Sequence, residues 1–161
     1  IVSQLAPYKH IDIAIDACNQ LRLPLTIAGD GPDRKRLKEL AGPTVTLLGF
    51  VPEENLPKLY HDATATIFPG NEDFGLVPLE SMACGTPVIA LRSGGALETI
   101  QENATGQFFD EPTAVSLAET LQRFDRSHYS QETCQTHART FSQETFERGI
   151  RENVELLTPS P

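Results

Sequence analysis

The sequence ATATIFPGNEDFGLVPLESMACGTPVIA, residues 63–90, decides the fold. It opens with a run of apolar and β-branched residues that Pro69 and Gly70 stop. A helical pattern follows over residues 75–84, and a second short apolar run follows at residues 88–90. Two buried-strand patterns on either side of a helix are typical of a β-α-β unit. The two strands of such a unit lie parallel, with helices covering both faces of the sheet.

The same alternation continues through the rest of the chain. Further strand patterns cover residues 1–6, 25–28, 44–48 and 106–109. Further helical patterns cover residues 10–21, 32–41, 52–62, 96–101, 113–125, 131–140 and 142–157, and we expect a frayed end at residues 158–161. The pattern predicts an α/β fold: one domain over residues 1–161, with a mostly parallel sheet of about six strands in a three-layer α/β/α sandwich.

Composition excludes several classes of protein. The 161 residues carry a net charge of −9 and a pI near 4.8, so no general attraction to nucleic acid is expected. No apolar run approaches the roughly 18 residues of a membrane span. The three cysteines lie far apart, which favours reduced thiols in a cytosol-like compartment. Because the chain begins at Ile1 inside a strand pattern, we expect a piece of a longer protein.

Residues 68–80 are the candidate ligand site, because they run from a strand end through a polar loop into a helix. Glu72 lies in the loop and Glu80 on the helix, with seven residues between them. A helix start binds anions through its free N–H groups and its dipole. Gly75 lets a ligand approach the backbone closely. The exposed N–H groups are expected at Phe74, Gly75, Leu76 and Val77.

A carboxylate beside an anion site suits a ligand that also has hydroxyl groups, since a carboxylate is a strong acceptor for them. A phosphate joined to sugars, as in a nucleotide sugar, meets both demands. The alternative is that Glu72 and Asp73 simply cap the helix while Glu80 faces solvent.

This stretch, with residues 82–90 after it, resembles the E-x7-E signature of the retaining glycosyltransferases of family 4, group 1. Other segments resemble that family's elements in the same order. They are Ser3-Gln-Leu-Ala-Pro-Tyr-Lys9 (Gly-Arg-Leu-x-x-x-Lys), residues 25–32 (Leu-x-Ile-x-Gly-x-Gly-Pro), residues 45–51 (Val-x-Phe-x-Gly-x-Val), residues 94–98 (Gly-Gly-x-x-Glu), Thr105-Gly106 and residues 141–157.

The resemblance implies a GT-B architecture, in which two Rossmann-like domains face each other across a cleft. This chain resembles the C-terminal half, which binds the donor. A helix over residues 142–157 would then pack toward the absent N-terminal domain. The implied activity is that of a hexosyltransferase with a lean toward mannose, and the isolated half is expected to be inactive. The acceptor would be a glycan or lipid-linked glycan, and the full-length protein would be cytoplasmic or peripheral at a membrane.

The resemblance also implies a role for each matching residue. Lys9 would contact the donor diphosphate and Glu72 would bind hydroxyls of the transferred sugar, which makes these two the catalytic candidates. Glu80 would hold the ribose, and the turn at Phe50 and Val51 would line the base pocket. The remaining donor-binding candidates are Gln4, Gly31, Asp73, Phe74, Gly75, Leu76 and Val77.

Two further expectations follow from the resemblance. Such enzymes generally need no bound metal and no cofactor, and the donor is a nucleotide-sugar substrate. The family usually has Arg at the position of Gln4, so one of the two cations beside the diphosphate is missing, and Arg92 is a candidate replacement. The rival hypothesis, which Gln4 supports, is a binding module that holds a nucleotide or sugar without transferring it.

Overall fold

Five short parallel strands form the centre of the chain, and their residues are almost all apolar. The structure is a computed structural model that describes residues 1–157, with side chains through residue 154. The strands are β1 (Leu25–Ala28), β2 (Val45–Gly49), β3 (Thr66–Phe68), β4 (Val88–Leu91) and β5 (Gly106–Phe109). They form a parallel pair, β1-β2, and a parallel three-stranded sheet in the order β3-β4-β5.

The first five residues run beside β1 but form little regular strand. Val2 makes an isolated parallel bridge with Ala28, and the Ser3 and Leu5 N–H groups donate to the carbonyls of Ala28 and Asp30 at 3.0 Å each. This segment and the five strands together account for the predicted six. In the described residues they do not form one continuous sheet, and residues of both β1 and β3 line a cavity of about 510 Å³.

Eight helices connect and cover the strands in the described chain. They are α1 (Ile11–Leu21), α2 (Arg34–Leu40), α3 (Leu56–Asp62), α4 (Leu76–Ala83), α5 (Ala96–Thr99), α6 (Ala114–Arg123), α7 (Gln131–Arg139) and α8 (Gln143–Leu157). The predicted helix over residues 52–62 is split into a 3-10 turn at Glu53–Asn55 and α3, which has Pro57 in its first turn. Residues 158–161, where a frayed end was expected, lie outside the described residues.

Helical spacing of apolar residues explains how the helices pack. On α1, Ile11, Ala14, Ile15 and Cys18 share one face and are all buried against α6 and the sheet. A second cluster lies between α4, α7 and the β3-β4-β5 sheet, around Phe68, Met82 and Cys134. The chain therefore has the predicted α/β fold.

All three cysteines are free thiols. Burial raises the pKa of the Cys18 thiol to about 11. Within the described residues, no helix combines the length and apolar character needed to cross a membrane.

Truncation of Leu117 tests the packing of α6. Leu117 is 0% exposed, whereas Val115, two residues earlier on the same helix, is 61% exposed. Leu117→Ala is expected to lower the free energy of unfolding by about 2–5 kcal/mol, because it leaves a cavity in the core. Val115→Ala, the matched control, should change it by about 0.5 kcal/mol or less. Urea denaturation measures both, and equal effects would contradict the packing described.

Candidate functional site

The candidate site residues lie in the loops that follow the parallel strands. These loops are at the edge of the sheet where the carboxyl ends of the strands lie. Lys9 follows the first segment, Gly31 follows β1, Phe50 follows β2 and Glu72 follows β3. In parallel sheets this edge is where ligands bind, because the loops that leave the strands gather there. The strand topology therefore brings residues from four loops to one side of the molecule.

Lys9 and Glu72 form an ion pair at this edge. Lys9 Nζ donates to Glu72 Oε1 at 2.6 Å, and the two side chains are only 14% and 28% exposed. Lys9 ends a 3-10 turn, Pro7–Lys9, and its ammonium also lies 5.0 Å from the centre of the Tyr8 ring. Gly70 packs against the Lys9 backbone so closely that a Cβ there would lie 3.3 Å from Lys9 Cα. The structure thus brings together the two residues proposed as catalytic.

Gly94 and Gly95 pack closely against the backbone of the loop that carries Glu72. The Gly95 N–H donates to the Glu72 carbonyl at 2.8 Å. A Cβ on Gly94 would lie 2.3 Å from that same carbonyl oxygen, and a Cβ on Gly95 would lie 2.4 Å from Phe74 Cα. Both distances are far below van der Waals contact, so only glycine fits against this loop. The Gly-Gly pair therefore fixes the backbone from which Glu72 extends.

The start of α4 has no side-chain cap among the described residues. Neither Glu72 nor Asp73 caps it, so the structure does not show the capping alternative. Gly75 precedes the helix with a φ of +78°, and a Cβ there would lie 2.9 Å from the Phe68 ring. Phe74 and Leu76 are 44% and 64% exposed, so the first turn faces solvent. An anion could therefore approach its N–H groups.

Glu80 lies on α4 with one of its oxygens already bound. The Tyr60 hydroxyl donates to Glu80 Oε2 at 2.7 Å. Burial, and then the hydrogen bond to Glu80, raise the pKa of Tyr60 far above its ordinary value. The phenol is therefore protonated at neutral pH and acts as a donor. Glu80 is exposed, but it is not the fully solvated side chain of the alternative interpretation.

The other loops of the candidate site carry Gln4, Gly31 and the turn after β2. Gln4 is exposed, and the Tyr8 hydroxyl is 3.5 Å from its Oε1. A Cβ on Gly31 would lie 2.3 Å from the Leu5 carbonyl, so the loop after β1 is packed directly against the segment that carries Gln4. Phe50 is 77% exposed and follows Gly49, whose φ is +76°. An exposed ring after such a turn is suited to stacking against a flat ligand group.

Arg92, the candidate replacement for the cation that Gln4 lacks, is bound to two carboxylates. Its guanidinium binds both carboxylate oxygens of Glu102, at 2.6 and 3.0 Å, and Asp110 at 2.6 Å. It also lies 4.8 Å from the centre of the Phe108 ring. The hydrogen bond from Arg92 lowers the pKa of the Glu102 carboxyl. Arg92 is thus bound to two carboxylates elsewhere, and the structure gives no support to our expectation for it.

In the part of the chain with described side chains, no group of three or more His, Cys, Asp or Glu residues is placed to hold a metal ion.

The contact of Tyr60 with Glu80 is the main site feature that sequence reasoning missed. In the helical pattern over residues 52–62, Tyr60 shares one apolar face with Leu56 and Leu59, which by itself predicts only core packing. A signal was present, because a tyrosine on a buried face needs a hydrogen-bond partner for its hydroxyl. Sequence spacing alone does not show that this partner is a carboxylate 20 residues later.

The sequence of this chain matches the model of one protein family. The family model described as "Glycosyl transferases group 1" matches residues 1–141. Human alpha-1,3/1,6-mannosyltransferase ALG2 is 34% identical over 142 residues, which are 73% of this chain and 34% of that protein. A GDP-mannose-dependent alpha-(1-6)-phosphatidylinositol monomannoside mannosyltransferase of Mycobacterium tuberculosis is 35% identical over 150 residues, or 78% of this chain and 38% of that protein.

Solved structures of similar fold agree with this result. Sucrose-phosphate synthase from Thermosynechococcus elongatus matches with a TM-score of 0.86 and 28% identity, over 97% of this chain and 45% of that one. Anabaena Alr3699/HepE in complex with UDP and glucose matches with a TM-score of 0.80 and 26% identity, over 96% and 47%. The chain therefore spans about a third of these curated relatives and about half of these structures.

Substitution of Gly95 tests how the Glu72 loop is held. Gly95→Ala is expected to lower the free energy of unfolding by about 1–3 kcal/mol, because the added Cβ overlaps the Phe74 backbone. Gly149→Ala is the control, since a Cβ there meets nothing within 4 Å and alanine favours the helix, so stability should rise by about 0.5–1 kcal/mol. Thermal or urea unfolding gives the comparison. A Gly95→Ala protein as stable as the wild type would show that the loop is not held as described.

Proposed function

The chain belongs to the group 1 glycosyl transferases, and on that premise we propose that it is the donor-binding half of a retaining glycosyltransferase. The complete protein would move a hexose from a nucleoside-diphosphate sugar to an acceptor hydroxyl. The ion pair of Lys9 and Glu72 beside the uncapped start of α4 carries the proposal. This arrangement places a cation, a helix start and a carboxylate at the edge of the sheet where ligands bind.

The chemistry proposed for Lys9 is electrostatic. In the transfer, the bond between the anomeric carbon and the diphosphate oxygen breaks, and negative charge develops on the leaving diphosphate. The Lys9 ammonium and the N–H groups at the start of α4 would stabilise that charge. The acceptor oxygen then bonds to the anomeric carbon on the face that the diphosphate leaves. We assign no general base within this chain; on that face the oxygen of the departing diphosphate can take the proton of the acceptor hydroxyl, which balances the step.

Lys9 can serve the diphosphate and Glu72 at the same time. An ammonium has three N–H donors, and one of them is used on Glu72 Oε1. The other two are available for phosphate oxygens, while the second oxygen of Glu72 can accept from a sugar hydroxyl. The ion pair would then couple the binding of the transferred sugar to the binding of the diphosphate leaving group.

Glu80 is proposed to bind the ribose of the donor. Its Oε2 accepts from Tyr60, so Oε1 can accept from a ribose hydroxyl. Phe50, exposed after β2, is proposed to contact the base. Gln4, Gly31, Val51, Asp73, Phe74, Gly75, Leu76 and Val77 complete the proposed donor site, in which Gln4 replaces one cation by a neutral amide.

Mannose is our proposal for the transferred sugar, and a glycan or lipid-linked glycan for the acceptor. Two relatives bear the names of mannosyltransferases, one of them GDP-mannose-dependent with a phosphatidylinositol mannoside acceptor, whereas one similar structure holds UDP. These names support a nucleotide-sugar donor and do not agree on the base. With such an acceptor, the full-length protein would work in the cytoplasm or at the surface of a membrane.

Helix α8 is proposed to pack on the N-terminal domain of the complete protein. Phe146 and Ile150 lie one turn apart on this helix and are 68% and 51% exposed. Exposed apolar side chains at this spacing are typical of a helix face that a partner covers.

We also propose that transfer needs no metal, as the family resemblance implies. The activity of the complete protein should therefore survive treatment with EDTA.

The second candidate function is a binding module that holds a nucleotide or sugar without transfer. Gln4 favours it, because the loss of a charge-assisted hydrogen bond of about 1.5–3 kcal/mol would weaken the hold on the leaving diphosphate. The two candidates differ in whether the complete protein releases a nucleoside diphosphate.

Nucleoside diphosphate binding tests the donor site in this chain. Isothermal titration with GDP, UDP and ADP should find weak binding of at least one of them. Lys9→Met is expected to weaken that binding roughly 10–100-fold, because one charge-assisted interaction with phosphate is lost. Lys58→Met is the control, since Lys58 is 80% exposed and pairs only with Asp62 on its own helix among the ion pairs described. Equal affinities for the two variants would contradict the assigned role of Lys9.

Replacement of Glu72 separates transfer from binding. Glu72→Gln in the full-length protein should lower turnover at least about 100-fold, since sugar positioning contributes strongly to the rate. Its affinity for the nucleoside diphosphate should change far less than turnover, because the diphosphate contacts Lys9 and not this carboxylate, and the amide oxygen of the variant can still accept from Lys9. The readout is the rate of nucleoside diphosphate release. A wild-type full-length protein that releases none with any acceptor would favour the binding module.

A further inference from the structure

Tyr60 lies beneath Glu80 in a position that no role in donor binding yet explains. The residue is 2% exposed, and its hydroxyl is 2.7 Å from Glu80 Oε2. It reaches Glu80 from α3, whereas Glu80 belongs to α4, so the contact joins two helices. A tyrosine hydroxyl directed at a partly exposed carboxylate is more than core packing, because phenylalanine would fill the same space.

The position of Tyr60 is itself fixed by buried hydroxyl groups. Thr86 Oγ1 donates to the Tyr60 carbonyl at 2.6 Å, and Thr86 is 1% exposed. Ser81, on α4 and 0% exposed, has its Oγ 3.0 Å from the Thr86 carbonyl and 2.7 Å from Thr66 Oγ1. These contacts connect the backbone of Tyr60 to α4 and β3, so the phenol cannot shift without disturbing the core.

We propose that Tyr60 is a positioning residue that sets the Glu80 carboxylate for recognition of the ribose hydroxyls. This inference rests on the proposed function, in which Glu80 binds ribose. The phenol occupies Oε2, so Oε1 becomes the acceptor for the ligand. An exposed glutamate on a helix otherwise samples several rotamers, and a ligand must stop that motion when it binds. A carboxylate that is already held binds its ligand more tightly for the same contacts.

A positioning role and a purely structural role of Tyr60 predict different effects on ligand binding. A positioned Glu80 helps only ligands that have ribose hydroxyls. Loss of the Tyr60 hydroxyl should therefore weaken a ribonucleotide and leave the matching 2′,3′-dideoxynucleotide unaffected. A general loosening of the site would weaken both ligands by the same factor.

The test measures binding of GDP, UDP and ADP, each with its 2′,3′-dideoxy counterpart, to the wild-type chain and to Tyr60→Phe. Tyr60→Phe should bind the ribonucleotide roughly three- to tenfold more weakly and the dideoxynucleotide equally well. Glu80→Gln should also lower the preference for ribose. The double variant should bind no more weakly than Glu80→Gln, because the hydroxyl acts through that carboxylate.

Several results would overturn the inference. It is wrong if Tyr60→Phe binds the ribonucleotide as tightly as the wild type, or loses both ligands to the same extent. A wild-type chain that binds none of GDP, UDP and ADP removes the proposed function and this inference with it, whereas wild-type binding with a ribose preference that Tyr60→Phe leaves unchanged removes only the inference.

Discussion

The ion pair of Lys9 and Glu72 connects two loops that are 63 residues apart in sequence. It joins the loop after residues 1–5, which pair in parallel with β1, to the loop after β3, whose neighbours in its sheet are also parallel. A pair that is largely shielded from water adds little net stability, since removing both charges from water costs much of the Coulomb energy gained. Its place at the carboxyl edge of the strands supports our proposal that the pair binds a ligand.

Close packing of glycine against backbone holds this pair in place. Gly70 lies against Lys9, while Gly94 and Gly95 lie against the loop that carries Glu72. At each of these positions a side chain would meet backbone atoms, which cannot move aside as the end of a flexible side chain can. The site is thus fixed from both sides by backbone contacts. Glu80 is held differently, by a buried phenol on a neighbouring helix.

Much of the fold could be predicted from the sequence, because strand and helix periodicity are local properties. The alternation of short apolar runs with helical patterns predicted every strand from β1 to β5, and the family motifs predicted the architecture. The split of the sheet beside residues 1–5 could not be predicted, since hydrogen bonding between strands distant in sequence depends on packing. The break before α3 was also missed, because the pattern of apolar residues continues through it.

The candidate site was predicted residue by residue, but its contacts were not. The E-x7-E spacing identified Glu72 and Glu80, but their partners lie on other elements. Glu72 pairs with Lys9, which is 63 residues earlier, and Glu80 accepts from Tyr60 on the preceding helix, α3. Arg92 illustrates the same limit. Its sequence position after β4 allowed it to reach the donor site, but Glu102 and Asp110 bind it instead. Partner choice depends on three-dimensional distances that motif spacing does not contain.

A crystal structure of the chain with GDP or UDP bound would test the central claim most directly. The account predicts a phosphate oxygen within hydrogen-bond distance of Lys9 Nζ and of the N–H groups at the start of α4, with a ribose hydroxyl on Glu80. A nucleotide bound at another surface, with Lys9 contacting only Glu72, would contradict it.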